Sequence, residues 1–530
     1  MEQHKTSKEQ NLSSPAFLAL PSVRQFDRQS DEQWRVSGES KIIIIENANS
    51  SGNPVLADMV SLVQSEFAAR QLTNEDRIGR IPVQTGTIST AGAGDLVVEL
   101  MDMELLRNHI QSLVRGEHNA PSASQGSEAY TLEIGSFVHL KSATERGLLY
   151  AFRTLLQQLL AQGCLAYGTV VDYPAVQERA MHVDIGRKFF SKDWILNRIK
   201  ELSWLKLNVL QLHFSENEGF TLQCDSHPEV MSPQYLTKED LKEILQTAKR
   251  YHVTVIPSLD SPGHLGYALK DHPEWLLQDS SGAPAKGALD ITNEAAKRFV
   301  LDLIDEYAEL FQESPYFHLG GDEFIDFEQF ALYPQLEKYA QEKLGIPEGQ
   351  GVDTYIDYIN QIAVHLEEKG FIVRAWNDGL YRQDQTQRVH PKASIQITYW
   401  TKWHRNMATA QTFLDLGYEL INYNDAYFYY VLGENAGYKY PTGDKIYEDW
   451  HPGLLPKISD IEKQEYPEPY PSSLIGCSFA IWSDTPDAQT EQQVAEGIYE
   501  PLRAMAEKAW IAEKRYGSYE AFKRMTSSIE

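Results

Sequence analysis

Asp322 and Glu323 stand side by side behind two glycines, in the run His318-Leu319-Gly320-Gly321-Asp322-Glu323. Adjacent carboxylates repel, and glycines let another group come close. Paired carboxylates suggest acid–base chemistry, but this spacing restricts which kind. A glycosidase with one carboxylate as acid and another as nucleophile or base needs them on opposite sides of the bond, about 5 Å apart for retention and further for inversion. Neighbours on one strand end reach a common substrate poorly from opposite faces. A different division of labour fits: Glu323 protonates the leaving oxygen, and Asp322 orients a substrate group that is itself the nucleophile. A 2-acetamido carbonyl is such a group, attacking the anomeric carbon to close an oxazoline ring. The charge on Asp322 is expected to keep Glu323 protonated near neutral pH. Taken alone, the dipeptide is equally at home at a helix N-terminus, where the dipole favours acidic residues.

Such a pair needs a scaffold that gathers partners around it. From about residue 176 onward, strand-like segments occur at 179–185, 207–214, 253–260, 316–321, 372–378, 395–400, 418–425 and 476–484. Most are separated by helical patterns, such as 191–206, 238–252 and 293–311. The pattern predicts an α/β fold, a (β/α)8 TIM barrel, with a doubly wound open sheet as the rival. Polar or aromatic residues at nearly every strand end favour the barrel, whose sites lie at the C-terminal ends. Those ends carry Asp184 and Arg187, His213 and Glu216, Asp260 and His264, Asp322 and Glu323, Trp376 and Asp378, Trp400, Asn424 and Asp425, and Trp482 and Asp484. Carboxylates among three tryptophans suit a sugar, whose C–H faces lie on indole rings while its hydroxyls bond to charged groups. A single such tryptophan is as often core packing; three together point to a site.

Residues 1–175 read as a smaller α+β domain preceding the barrel at 176–530. Strands are expected at 41–45, 95–100 and 129–135, an amphipathic helix from Arg146, and a loop near 116–127. The net charge of −27 argues against nucleic acid or an anionic membrane as partner. Three scattered cysteines support neither a disulfide framework nor a zinc site. No His-x-His or His-Glu-x-x-His spacing supports a metal-dependent hydrolase, so no metal or other cofactor is expected. The polar N-terminal stretch and the lack of a long apolar run make the cytoplasm the expected location.

HLGGDE resembles the signature of the glycoside hydrolase family 20 β-N-acetylhexosaminidases. The likeness runs along the chain: RAMHVDIGRKFF, LHFSENEGF, IPSLDSPGH, AWNDG, INYNDAYFYYV and FAIWSD resemble that family's first, second, third, fifth, seventh and eighth barrel strands. The EAYTLEIG segment and the helix after it resemble the domain before the barrel. The resemblance implies Glu323 as general acid and then base, and Asp322 as the residue holding the acetamido nitrogen. It implies Tyr429 as donor to the acetamido carbonyl, with Tyr427 and Tyr430 close by in sequence. Trp376, Trp400 and Trp482 would wall the sugar, Arg187 would bind O3 and O4, and Asp484 would take O4 or O6. His264 would support the acid through a carboxylate. His213, Glu216 and Asp378 join them as substrate-site candidates.

The chain departs from the family pattern in three places. Glu216-Asn217 replaces a frequent Asp-Asp pair, leaving the carboxylate partner of His264 open. Ser258 stands where Glu is frequent, and Asp484 shortens the usual Trp-x-Glu carboxylate. The expected partners are β-N-acetylhexosaminide glycans. The alternatives are lacto-N-biosidase-like release of a disaccharide, or an inactive glycan-binding protein. A Tyr- and Pro-rich segment at 430–470, including Trp450, is expected to form either a lid or aglycone platform or an ordered surface loop.

Overall fold

A computed structural model describes residues 17–47, 52–69, 81–114, 121–457 and 462–530. The chain forms two compact units. One comprises the residues up to Gln177 together with 443–451 and 503–530; the other spans Glu178–Thr442 and Pro452–Leu502. Two stretches that the sequence division assigns to the barrel segment thus belong to the first unit.

The first unit is built on a seven-stranded mixed sheet. Its spatial order is Gln25–Trp34, Leu165–Asp172, Tyr130–Ile134, Val138–Ser142, Leu96–Leu100, Ile42–Ile45 and Val83–Gly86. The apolar strands Ile42–Ile45, Leu96–Leu100 and Tyr130–Ile134 lie where expected. The edge strands Gln25–Trp34 and Val83–Gly86 are missed in sequence because their side chains are largely exposed and polar. Helix Glu145–Gln162 starts at Thr144, whose side chain accepts from the Gly147 N–H, and stops at Gly163 with φ +67°. Within the expected loop at 116–127, residues 116–120 lie outside the described residues, and Ala123–Gly126 forms one helical turn capped by Ser122. Residues 503–511 pin this unit from the C-terminal side: Trp510 Nε1 donates to buried Asp172 at 2.8 Å.

The second unit is the barrel. Its strands are Glu178–Asp184, Val209–His213, Thr254–Ser261, Tyr316–Gly320, Ile372–Trp376, Gln396–Tyr399, Leu420–Asn422 and Leu474–Trp482. Each pairs in parallel with the next, and the eighth closes onto the first through Gly476–Ile481 and Glu178–Val183. All eight lie within the segments read from the sequence or within two residues of them. Closure removes both sheet edges, and every strand interior is buried.

Helices Lys192–Trp204, Lys238–Arg250 and Glu294–Leu310 follow the first three strands. Pro334–Glu342 and Gly351–Glu368 follow the fourth, whereas among the described residues no helix joins the fifth to the sixth. The helix starts are fixed by side chains, as where Thr237 and Asp240 cap each other's backbone N–H groups. No helix among the described residues is long and apolar enough to cross a membrane.

Candidate active site

The C-terminal ends of the barrel strands surround a cavity of about 450 Å³. It is lined by Arg187, Glu216, His264, Asp322, Glu323, Trp376, Trp400, Tyr429, Trp482 and Asp484, with Trp403, Val431, Ala436 and Tyr438. A wider groove of about 650 Å³ runs outside, between Lys238–Lys249 and Glu306–Ser314, but no acid–base set converges on it.

The turn after the fourth strand sets the two carboxylates apart. His318 Nδ1 accepts from the Gly320 N–H at 3.1 Å, while its Nε2 meets Thr398 Oγ1 at 2.8 Å. Gly320 has φ +83°, and a Cβ there would overlap Asp260 Oδ1, so only glycine fits. Asp260 Oδ1 accepts from the Gly321 N–H at 3.1 Å. Glu323 itself has φ +45°, a strained conformation for a non-glycine residue. Its N–H donates to Asp378 Oδ2 at 3.0 Å, which secures the turn. The result is asymmetric: Asp322 is buried, and the Glu323 side chain is 54% exposed.

Charges around the pair form a chain. Arg187 is clamped by Asp184 Oδ2 at 2.9 Å, Glu216 Oε1 at 2.8 Å and Glu218 Oε2 at 3.2 Å. Glu216 Oε2 reaches His264 Nδ1 at 2.8 Å. His264 Nε2 then lies 3.5 Å from both Asp322 Oδ2 and Glu323 Oε2. Glu216 is thus the carboxylate partner of His264, a question the sequence left open. The neighbouring Asn217 turns to the backbone, accepting from the Gly266 N–H at 3.0 Å.

Proton affinities follow from these contacts. Burial opposes the charge on Glu216, but the His264 and Arg187 cations overcome it and hold its carboxyl well below the usual range. Burial likewise opposes the charge on His264, and Glu216 and Asp322 reverse that, so the imidazolium is held well above its ordinary pKa. The expected assignment of the proton in the pair is corrected. The imidazolium beside Glu323 lowers its pKa. Burial, reinforced by Asp260, raises Asp322 well above the carboxylate range. Burial also lifts Asp260 to about 7, and burial with the Asp322 charge lifts Asp378 to about 7. Burial thus raises the proton affinity of Asp322, and the histidine lowers that of Glu323, the reverse of the order expected from adjacency.

The aromatic wall has three indoles. Trp376 and Trp482 stand 6.0 Å apart, and Trp400 stacks parallel to Tyr429 at 5.7 Å. Trp400 Nε1 donates to Asp378 Oδ1 at 3.0 Å. Of the three tyrosines in the NDAYFYY segment, Tyr429 lines the cavity. Tyr430 points outward, stacked on Tyr440 and donating to Gln489, and Tyr427 is not on the cavity wall.

Two expected substrate contacts stand behind the wall. His213 is fully buried, engaged by Ser258 Oγ at 3.0 Å and Glu216 at 3.3 Å. Ser258, at the position where Glu is frequent, thus orients a histidine. Asp378 spends both oxygens on Glu323 N–H and Trp400. Trp450 is buried, belongs to the first unit and is not among the residues lining the cavity. From the same 430–470 segment, Ala436 and Tyr438 do reach the rim. Sequence reading missed Trp403, 59% exposed on the loop after the sixth strand. The signal was there: an indole three residues past a strand end.

Asp260, His264 and Asp322 each bring one donor atom within 4.8 Å of the others, the one such trio among the described residues. Its imidazole is already engaged through Nδ1 by Glu216 at 2.8 Å.

The mouth of this closed parallel barrel thus gathers an acid pair, a buried imidazole and a wall of indoles. Residues 177–513 match the model of the glycosyl hydrolase family 20 catalytic domain, and residues 20–173 match domain 2 of that family. The chain belongs to glycosyl hydrolase family 20. A lacto-N-biosidase of Bifidobacterium bifidum is 29% identical over 406 residues, 76% of this chain and 34% of that protein. Beta-hexosaminidase subunit A2 of Dictyostelium discoideum is 27% identical over 61% of this chain and 58% of that one. The chain thus spans well under two thirds of the length of these relatives. A β-N-acetylhexosaminidase structure from Bacteroides fragilis shares the fold, with a TM-score of 0.70 at 19% identity over 96% of this chain and 94% of that one.

Proposed function

We propose that the protein is an exo-acting β-N-acetylhexosaminidase that removes terminal N-acetylglucosamine or N-acetylgalactosamine by a retaining, substrate-assisted route. One observation carries this reading. The two carboxylates share a strand end and differ in burial, so they are suited to different tasks on one face of the sugar. Asp322 Oδ1 is buried without a hydrogen-bond partner. In this reading it accepts the acetamido N–H and faces the positive charge that grows as the carbonyl oxygen attacks the anomeric carbon.

Tyr429 donates its hydroxyl to that carbonyl, and Trp376, Trp400 and Trp482 hold the methyl group and the ring face. Arg187 and Asp484 take the distal hydroxyls. Glu323, the more exposed member, protonates the departing oxygen and later deprotonates the water that opens the oxazolinium, giving net retention.

A second reading, release of a disaccharide, is favoured by Asp484. Aspartate is one methylene shorter than the glutamate usual in this motif, which leaves room beyond the distal hydroxyls. The test compares nitrophenol release from the β-N-acetylglucosaminide, the β-N-acetylgalactosaminide, the plain β-glucoside and the β-lacto-N-bioside, with wild type beside Glu323→Gln. Turnover of the N-acetyl monosaccharides alone, lost in the variant, supports the first reading. Turnover of the lacto-N-bioside alone moves the assignment to the second. Activity on the plain glucoside defeats the substrate-assisted mechanism. Silence on all four leaves a glycan-binding role.

A further inference from the structure

Asp425 is not among the residues lining the cavity, yet the cavity mouth is tied to it from two sides. It opens the helical turn Asp425–Phe428, just beyond the seventh barrel strand. Its N–H donates to the Trp400 carbonyl at 3.1 Å. Its Oδ2 accepts from the Tyr438 hydroxyl at 3.0 Å and from Thr401 Oγ1 at 3.1 Å. Thr401 Oγ1 in turn accepts from the Trp403 N–H at 3.2 Å. One carboxylate oxygen thus joins two loops. The first carries Trp400 and Trp403, the second Ala436 and Tyr438, and all four residues line the cavity.

The second loop needs such a tie. Gly433, Glu434, Ala436 and Gly437 all have positive φ, and two of them are not glycine. Strained backbone of this kind persists where its surroundings hold it, and it gathers at ligand sites. At the base of the loop the Gly433 N–H donates to the Tyr440 hydroxyl at 3.0 Å, and Tyr440 stacks on Tyr430. The Lys439–Glu434 pair is exposed and contributes little. The Tyr438–Asp425 hydrogen bond fixes the loop at the cavity itself, with the Tyr438 ring 5.4 Å from that of Tyr429.

On the glycosidase reading of the site, we infer that Asp425 is a positioning residue that holds Tyr438 and Trp403 at the mouth to receive a second sugar of the glycan. Asp425 acts through Tyr438 and Thr401 rather than on the substrate. An aromatic ring offers its face to the C–H side of a pyranose. A ring fixed beforehand loses less freedom when the sugar arrives. The second sugar is either the leaving group or a sugar beyond Asp484 at the non-reducing end, and both present the same C–H face.

The test measures kcat and KM for Asp425→Ala, Asp425→Asn, Tyr438→Phe and the double variant Asp425→Ala with Tyr438→Phe. The substrates are the nitrophenyl β-N-acetylglucosaminide, N,N′-diacetylchitobiose, whose second sugar is the leaving group, and the nitrophenyl β-lacto-N-bioside, whose second sugar is at the non-reducing end. Asp425→Ala should raise KM about three- to tenfold on whichever two-sugar substrate the wild type cleaves, while kcat changes less than about twofold. The one-sugar substrate should show a smaller rise in KM. Asp425→Asn keeps an acceptor oxygen with two lone pairs and should restore most of the loss. The double variant should be no worse than Asp425→Ala, because both changes break the same contact. The substrate whose KM moves identifies the side on which the second sugar lies. An unchanged KM, a loss confined to kcat, an equal rise on one- and two-sugar substrates, or additive effects in the double variant overturns the inference. Wild-type inactivity on all three substrates overturns the glycosidase reading instead. Should Asp425→Ala not fold, Tyr438→Phe and Thr401→Val each remove one hydroxyl that the carboxylate holds, and an unchanged KM in both overturns the inference.

Discussion

Replacing Glu216 by Gln keeps its shape and removes one buried charge that serves two cations. Its carboxylate is 2.8 Å from both Arg187 and His264. At an effective dielectric constant of about 20, each such contact is worth about 6 kcal/mol before desolvation. After desolvation and relaxation, removing one partner of a buried ion pair costs about 3–5 kcal/mol. The pH window follows from the two shifts. His264 is raised, so its contribution is complete below its unfolded pKa of about 6.5 and fades as pH rises through the folded value. Glu216 is lowered, so its contribution is present above about 4.3 and is lost as pH falls through the folded value. Melting followed by near-ultraviolet circular dichroism at about pH 5.5, inside that window, should show the barrel clearly destabilised. Loss of the charge should also lower the proton affinity of His264, which Glu216 raises. The variant-to-wild-type ratio of kcat/KM should then fall about tenfold or more between about pH 5 and pH 8, as the imidazolium is lost in the variant alone. An unchanged melt together with a flat ratio would refute the claim that Glu216 holds both cations.

Tyr429→Phe should lower kcat for N-acetyl substrates by about 10²–10³-fold, the cost of one lost donor at a developing charge, with little change in thermal stability; full activity would remove Tyr429 from the reaction. Trp403→Ala should leave folding intact, since the indole is 59% exposed, and raise KM about two- to tenfold for substrates with a sugar leaving group while sparing aryl ones. An equal effect on both would place Trp403 away from the leaving group. Gly320→Ala should displace Asp260 and add about 1–2 kcal/mol of left-handed backbone strain, abolishing most turnover. A fully active alanine variant would contradict the tight packing of this turn.

The barrel was legible because each strand is a short apolar run with a polar or aromatic end, and eight such runs in order admit few folds. The first unit was less so. Strand Gln25–Trp34 reads as a polar loop, since an edge strand needs only one partner and leaves most of its side chains to solvent. The stretches 443–451 and 503–530 belong to the first unit despite their place in the chain: Trp510 packs on Tyr150, and Tyr447 stacks on Phe522. Nothing local in sequence announces such a return.

Sequence alone determined the kinds of groups at the mouth: the acid pair, the imidazole, the arginine and the indoles, each tied to a strand end by the alternation of the chain. Tertiary structure decided which of them meet. Tyr429 and Val431 face the cavity and Tyr430 faces away because the short strand Tyr429–Val431 alternates with period two beside the eighth barrel strand. His213 and Asp378 recede behind the wall because buried polar groups must find partners, and theirs lie there. The order of proton affinities in the acid pair is the clearest case. Adjacency in sequence suggested that Asp322 would keep Glu323 neutral. Burial of Asp322 against Asp260, and an imidazolium brought to Glu323 from another strand, reverse the order, because proton affinity depends on burial and through-space charge.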